Sequence, residues 1–306
     1  IASDITNGYL IFYKNGTHIY TITGISNAFD WFPSFSAYGT SATWHVNYGQ
    51  RPFSYTPPAG HKSLCSKNLP PNVPSTIRPQ KHFDTILYSG DGSASRTITG
   101  LEFKPDFVWI KERTASSVSA NRLFDSVRGV GKTLLSDNTT AELDRDTELL
   151  SYHDHGFVVG DSGTVNENGS TVVAWCWKAG GAAVSNSDGT ITSSVSANTE
   201  AGFSIVSFTG NATSGATVGH GLNSKPKWFI IKERGNTNDW VVYHESLGSS
   251  SGNTNVQFLN LTNDIGGGFA GGYNNTAPTS SVFSLGNSTE TNRSSGNFIA
   301  YCWAEV

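Results

Sequence analysis

One block of this chain occurs twice, and that constrains its fold more than any single motif. Lys104-Pro-Asp-Phe-Val-Trp-Ile-Lys-Glu-Arg113 returns as Lys225-Pro-Lys-Trp-Phe-Ile-Ile-Lys-Glu-Arg234. The closing segments match as well, Val173-Ala-Trp-Cys-Trp177 with Ile299-Ala-Tyr-Cys-Trp303. So do the lead-ins, Phe83 to Gly90 with Phe203 to Gly210. A segment of about a hundred residues that recurs whole is a folding unit used twice. The chain therefore reads as two β repeats, 82–180 and 201–306. A Ser/Gly/Asn-rich linker or exposed hairpin at 181–200 separates them. A Pro-rich linker at 71–81 and a smaller β region at 1–70 precede them.

The order of elements inside each repeat is the same. An opening strand ends at Gly90 or Gly210. Proline then leads into an apolar strand, Phe107 to Ile110 or Trp228 to Ile231, expected to be buried on both faces. Lys-Glu-Arg follows, where the chain is expected to regain solvent. A Phe-x-x-Gly strand, an Asn-rich turn at Asn166 or Asn292 and the Cys-Trp strand complete the unit. Thr139 to Leu150 reads as a short helix in the first copy alone. Charged residues make up 14% of the chain and hydrophobic residues 37%. With abundant Gly, Ser, Thr and Asn, this balance suits turn-rich β domains and argues against helical bundles. The expected fold class is all-β, with two homologous antiparallel β-sandwich domains.

Formal net charge is −4, and without a basic stretch nucleic acid is not an expected partner. No apolar run approaches the roughly 20 residues that span a bilayer, so membrane insertion is not expected. Cys176 and Cys302 occupy equivalent places and read as small core residues of separate domains, not as a disulfide; Cys65 has no evident partner. The absence of methionine agrees with a processed start or with a segment of a longer polypeptide.

In the first region, Tyr9 to Tyr13 and Thr17 to Ile22 flank Asn15-Gly16, a hairpin turn signal. Leu10-Ile-Phe-Tyr-Lys-Asn-Gly16, Trp31-Phe-Pro33, Asn47-Tyr-Gly-Gln-Arg-Pro-Phe53 and Tyr55-Thr-Pro-Pro58 together resemble the C-terminal half of SPRY-type (concanavalin-like) sandwich domains, as found in bacteriophage tail fibres and other virion proteins. Phe107 to Arg113, Leu123-Phe-Asp-Ser-Val-Arg-Gly129 and Ala174-Trp-Cys-Trp-Lys-Ala-Gly-Gly181 resemble a module that follows the SPRY-like part in the same phage proteins. The resemblance implies a partial SPRY-like sandwich ahead of the repeats. It implies a virion location and a role as a tail fibre or receptor-binding protein. Other virion proteins and a host surface glycan or receptor would be its partners, and a homo-oligomer, by preference a trimer, its assembly. It carries over no catalytic motif. Its alternatives are a capsid or tail decoration protein, a polysaccharide depolymerase and a bacterial adhesin. The SPRY-like part begins midway, which implies the C-terminal portion of a longer fibre or a sandwich completed by neighbouring chains.

Candidate chemistry is sparse, and no cofactor is expected. Gly129-Val-Gly-Lys-Thr133 lacks the leading glycine of a phosphate loop, since Ser126 stands there, and reads as a turn. His153-Asp-His155 places two imidazoles on one strand face without a third ligand, so no metal site is assigned. Asp125 with Glu142, or Glu245 with Asp264, are the acid pairs that glycoside cleavage would require, although Asp125 and Glu245 also suit turn capping. No triad pattern appears, and no enzyme activity is expected. The ligand-binding candidates are Phe269, Tyr273 and Asn274 on the loop Asn263-Asp-Ile-Gly-Gly-Gly-Phe-Ala-Gly-Gly-Tyr-Asn-Asn275, together with Trp240. Aromatic rings beside amides suit sugars; the competing reading packs these rings inward.

Overall fold

In the computed structural model, the residues described are 1–4, 7–26, 45, 47, 52–59, 61, 78–114, 119–247, 249–250, 253–262 and 270–305. The chain divides into two compact units, Ile1–Ser75 and Thr76–Val306.

The first unit contains β1 (Ala2–Asp4), β2 (Tyr9–Lys14) and β3 (Thr17–Thr23), paired antiparallel in that order. Asn15 and Gly16 turn the β2–β3 hairpin with φ of 50° and 79°, as an Asn-Gly turn of the mirror-image class requires. Among the described residues of this unit Ala2 alone is buried. Of the segments that carry the SPRY resemblance, Trp31-Phe-Pro33 and most of Asn47 to Phe53 lie outside the described residues.

The second unit holds both repeats. The first contributes β4 (Phe83–Ser89), β5 (Arg96–Thr99), β6 (Phe107–Glu112), β7 (Arg122–Asp125), β8 (Lys132–Leu135), β9 (Leu143–Asp144), β10 (Leu149–His153), β11 (Gly156–Val159), α1 (Gly163–Asn166) and β12 (Thr171–Trp177). A six-stranded sheet of order β4-β12-β6-β7-β8-β9 faces a three-stranded sheet of order β10-β11-β5. Val108, Ile110, Phe124, Ala174 and Cys176 from the larger sheet pack on Ile98, Leu149, Phe157 and Val159 from the smaller. The second repeat contributes β13 (Val184–Asn186), β14 (Ser193–Asn198), β15 (Phe203–Thr209), β16 (Ala216–Gly219), β17 (Pro226–Glu233), β18 (Val241–His244), β19 (Ser249–Ser250), β20 (Asn253–Thr254), β21 (Gln257–Phe258), α2 (Ala270–Tyr273), β22 (Val282–Leu285), α3 (Thr289–Asn292) and β23 (Asn297–Ala304). Its main sheet runs β13-β14-β15-β23-β17-β18-β21, with β16-β22 across the core. All these ladders are antiparallel, and the all-β sandwich class expected from the sequence is the class observed.

The repeat is visible in its polar details. Asn166 receives the Asp91 N–H and donates to the Ser93 carbonyl. Asn292 receives the Asn211 N–H and donates to the Thr213 carbonyl. Each asparagine is fully buried and pins the turn after the opening strand. That turn begins at Gly90 or Gly210, where a Cβ would lie 2.0 Å from the Glu167 carbonyl oxygen or 2.4 Å from that of Arg293. Cys176 and Cys302 are fully buried in separate cores, as expected; Cys65 lies outside the described residues.

Three expectations are corrected in whole or in part. Residues 181–200 take the hairpin alternative but are not simply exposed: β13 and β14 form a hairpin that pairs along β15 in the register Ser193↔Phe208 to Asn198↔Phe203. Val195 of that hairpin joins the second core, and this burial outweighs the turn-rich composition. Thr139 to Leu150 is not a helix. Leu149 is drawn into the first core, and Glu142 and Glu148 are drawn to arginines, so tertiary contacts override local propensity. Lys-Glu-Arg regains solvent only at its end, with Arg113 exposed and Arg234 partly so. Glu112, Lys232 and Glu233 are buried, each satisfied by hydrogen bonds.

A third core joins the two repeats. Phe107, Leu123 and Leu134 on the outer face of the six-stranded sheet meet Phe203, Ile205, Ile230, Val242, Ile299 and Tyr301 on the outer face of the seven-stranded one. The second unit is thus a stack of four β layers. Each such side chain contributes about 1.5–3 kcal/mol when fully buried, so the seam is a core, not a loose contact between domains.

Candidate functional site

The side chains nominated from the sequence serve this seam and the second core. Trp240 is fully buried and donates its indole N–H to the Leu135 carbonyl at 2.7 Å, across the repeats. Tyr273 is buried on α2 and donates its hydroxyl to the Val241 carbonyl at 3.0 Å; burial pushes that hydroxyl well above its usual range. Neither ring is accessible to a ligand. Asn274, at a φ of 51°, accepts from the Ser214 hydroxyl at 2.8 Å, so it closes a turn. Phe269 and Asp264 lie outside the described residues. The inward-packing alternative therefore holds for Trp240 and Tyr273, because a large aromatic with one polar atom gains most where both area and hydrogen bond are satisfied.

The first acid pair is structural. Arg128 sits between Asp125 and Glu142, bonding the first through Nε and the second through Nη1 at 3.2 Å. Asp125 also caps its turn, accepting from the Val127 and Arg128 N–H groups at 3.0 and 2.8 Å, and receives the Tyr301 hydroxyl at 2.7 Å. Glu142 takes a two-pronged contact from Arg234 at 2.9 and 2.7 Å. These charges form one network that closes the seam. In the Gly129-to-Thr133 segment, Gly129 and Gly131 adopt φ of 92° and 74°, Lys132 pairs with Asp144 and Thr133 donates to Glu148. It is a turn. His155 rests on the Leu101 carbonyl, and no group of three or more metal-ligating side chains occurs among the described residues.

Two depressions open on the surface of the second unit. One, of about 780 Å³, is lined by His82, Lys104, Tyr152, Lys178, Asn198 and Glu200. There Asn198 donates to His82 Nδ1 at 2.9 Å while His82 Nε2 lies 3.9 Å from Glu200. The other, of about 400 Å³, has Trp228 and Trp303 as its floor and Lys227, His244, Glu245 and Glu305 on its rim. Trp228 and Trp303 are register partners on β17 and β23, stacked with centroids 4.0 Å apart and planes 18° apart. Trp303 contacts Trp177 at 6.0 Å, and Trp177 contacts Phe83 at 4.8 Å. Four partly exposed aromatic rings therefore run across the mouth of the seam. Lys227 lies 2.6 Å from Glu245 and 3.7 Å from Glu305, and its hydrogen bond holds the Glu245 carboxyl below its usual range. The sequence carried a signal for this row: aromatics at matching ends of repeated strands point the same way.

A comparison with curated proteins returned no match. A comparison with solved structures returned none either. Residues 78–306 match a family model described as a domain of unknown function, DUF7483. That span covers both repeats and well over half of the sequence, so the chain belongs to the DUF7483 family.

Proposed function

We propose that this protein is a structural component of a bacteriophage virion, a tail-fibre or receptor-binding protein that attaches to host surface glycan without cleaving it. The observation that carries the reading is the fused seam. Two copies of one β module share a continuous aromatic core and a buried charge network, which makes a stiff support for surface recognition. The first acid pair that cleavage would call on is engaged with arginine, which favours binding over hydrolysis. Homo-oligomers, with a trimer as the first expectation, would multiply weak sites into useful avidity.

Electron microscopy of intact particles labelled with antibodies to residues 78–306 tests this, alongside purified protein as a competitor of adsorption. Label at the tail with blocked adsorption is the expected result. Label on the capsid would replace the fibre role with decoration, and particles without label would overturn the reading.

A further inference from the structure

We propose that the aromatic row Phe83–Trp177–Trp303–Trp228 is a binding site for an uncharged pyranose chain. The biological setting rests on the attachment reading above; the chemistry does not. Phe83 is 37% exposed and the three tryptophans are partly exposed, although the chain buries rings of the same size elsewhere. Contiguous exposed apolar surface with a polar rim marks an interaction site.

The internal repeat sharpens this. Trp228 occupies the position of Phe107 in the first copy, and Phe107 is fully buried. The larger ring in the second copy stacks on Trp303 and carries the row outward. Indole faces match the flat C–H faces of pyranose rings, and polar groups at the margin must answer the ring hydroxyls. Both are present. Among the described residues, the indole N–H groups of Trp177, Trp228 and Trp303 have no protein acceptor. His244, Glu245 and Ser246 stand exposed at the edge.

Charge decides the class of sugar. Lys225 and Lys227 are balanced by Glu245 and Glu305 in mutual contacts of 2.6 to 3.8 Å. At the Trp228–Trp303 end an acidic sugar would find both lysines already paired, and a basic one both carboxylates. The volume of about 400 Å³ lies at the lower end of small-molecule sites. The linear row suits a chain laid along it better than an enclosed monomer.

The test titrates the protein with maltohexaose, cellohexaose and dextran, with polygalacturonate as the acidic comparator. Tryptophan emission and retention in affinity electrophoresis are read together. The expected result is an emission change and retardation by at least one neutral chain. Trp228→Ala and Glu245→Gln should weaken retardation tenfold or more and about threefold respectively. Trp228→Phe, which keeps a packed ring, should weaken it at unchanged Tm, which separates site loss from misfolding. Binding to none of the neutral chains, or to polygalacturonate alone, would overturn the proposal. So would self-association that shifts the emission on dilution, because a second copy would then be the occupant. Tail label without sugar binding would sink the site and leave the attachment role standing. Sugar binding by a chain absent from particles would do the reverse.

Discussion

The opening strands of the two repeats, β4 and β15, hold equivalent places and meet different surroundings. β15 is paired on both sides, by β14 and β23. β4 pairs with β12, and no other strand lies on it among the described residues. Phe203 and Ile205 are consequently buried at 1% and 0%, whereas their counterparts Phe83 and Thr85 are exposed. Leu87, on the same face of β4, is 65% exposed, and Ser207 takes its place on β15. One repeating sequence therefore yields one sandwich, but the chain around it decides which outer face becomes core. The hairpin at 184–198 extends the second sheet, and the seam covers most of that sheet and only part of the first.

The largest effect is expected at the seam that both repeats share. Arg128→Ala leaves Asp125 and Glu142 facing each other with one cation removed. Breaking a buried charged network costs about 3–5 kcal/mol, so urea unfolding should shift by that order or the protein should fail to fold at 37 °C. Lys132→Ala, which removes only the exposed contact to Asp144, should leave the midpoint unchanged. An equal shift in both variants would deny the network its role.

The next tests split the two opening strands. Ile205→Ser should cost about 2–5 kcal/mol, as for an apolar side chain removed from a packed core. Leu87→Ser should stay within about 0.5 kcal/mol, as surface changes do. A large loss from Leu87→Ser in chemical denaturation would mean that this face is covered in solution.

The smallest effect is a pH dependence confined to the second repeat. Lys232 is buried, its ammonium donates to the Glu233 and Asn236 carbonyls at 2.7 and 2.9 Å, and burial pushes its pKa down to about 8. The unfolded chain holds this proton up to the ordinary lysine range near 10.5. Between about pH 8 and 10 the unfolded state thus binds more protons than the folded one, and stability rises with pH. Below pH 8 both states are charged and the slope vanishes. Thermal melts should show a rising Tm from pH 8 to 9.5 that Lys232→Met abolishes; an unchanged slope in the variant would assign it elsewhere.

Much of this architecture was legible in the residues. Phe107 to Ile110 and Trp228 to Ile231 read as doubly buried strands because no polar residue interrupts them, and all but Trp109 and Trp228 are buried. Asn15-Gly16 read as a turn because few residue pairs accept two positive φ angles at low cost. Cys176 and Cys302 read as core because aromatics flank each of them in a strand-like apolar run. Other readings failed where a distant partner decided the outcome. Glu142 looked like part of a helix, or of a catalytic pair, until Arg128 and Arg234 were placed beside it. Trp240 looked like a ligand platform because nothing local foretells an acceptor 105 residues earlier at Leu135.

By itself the sequence determined a duplicated β unit, its strands, its turns and the two inner cores, because alternation, glycine placement and the repeat are local and written twice. Only the tertiary structure decided that the two outer faces meet, that the acids between them are locked by arginine, and that four aromatic rings line the mouth of the junction. Such contacts join residues a hundred or more positions apart. Their free energy depends on which surfaces exclude water together, and no single segment carries that information.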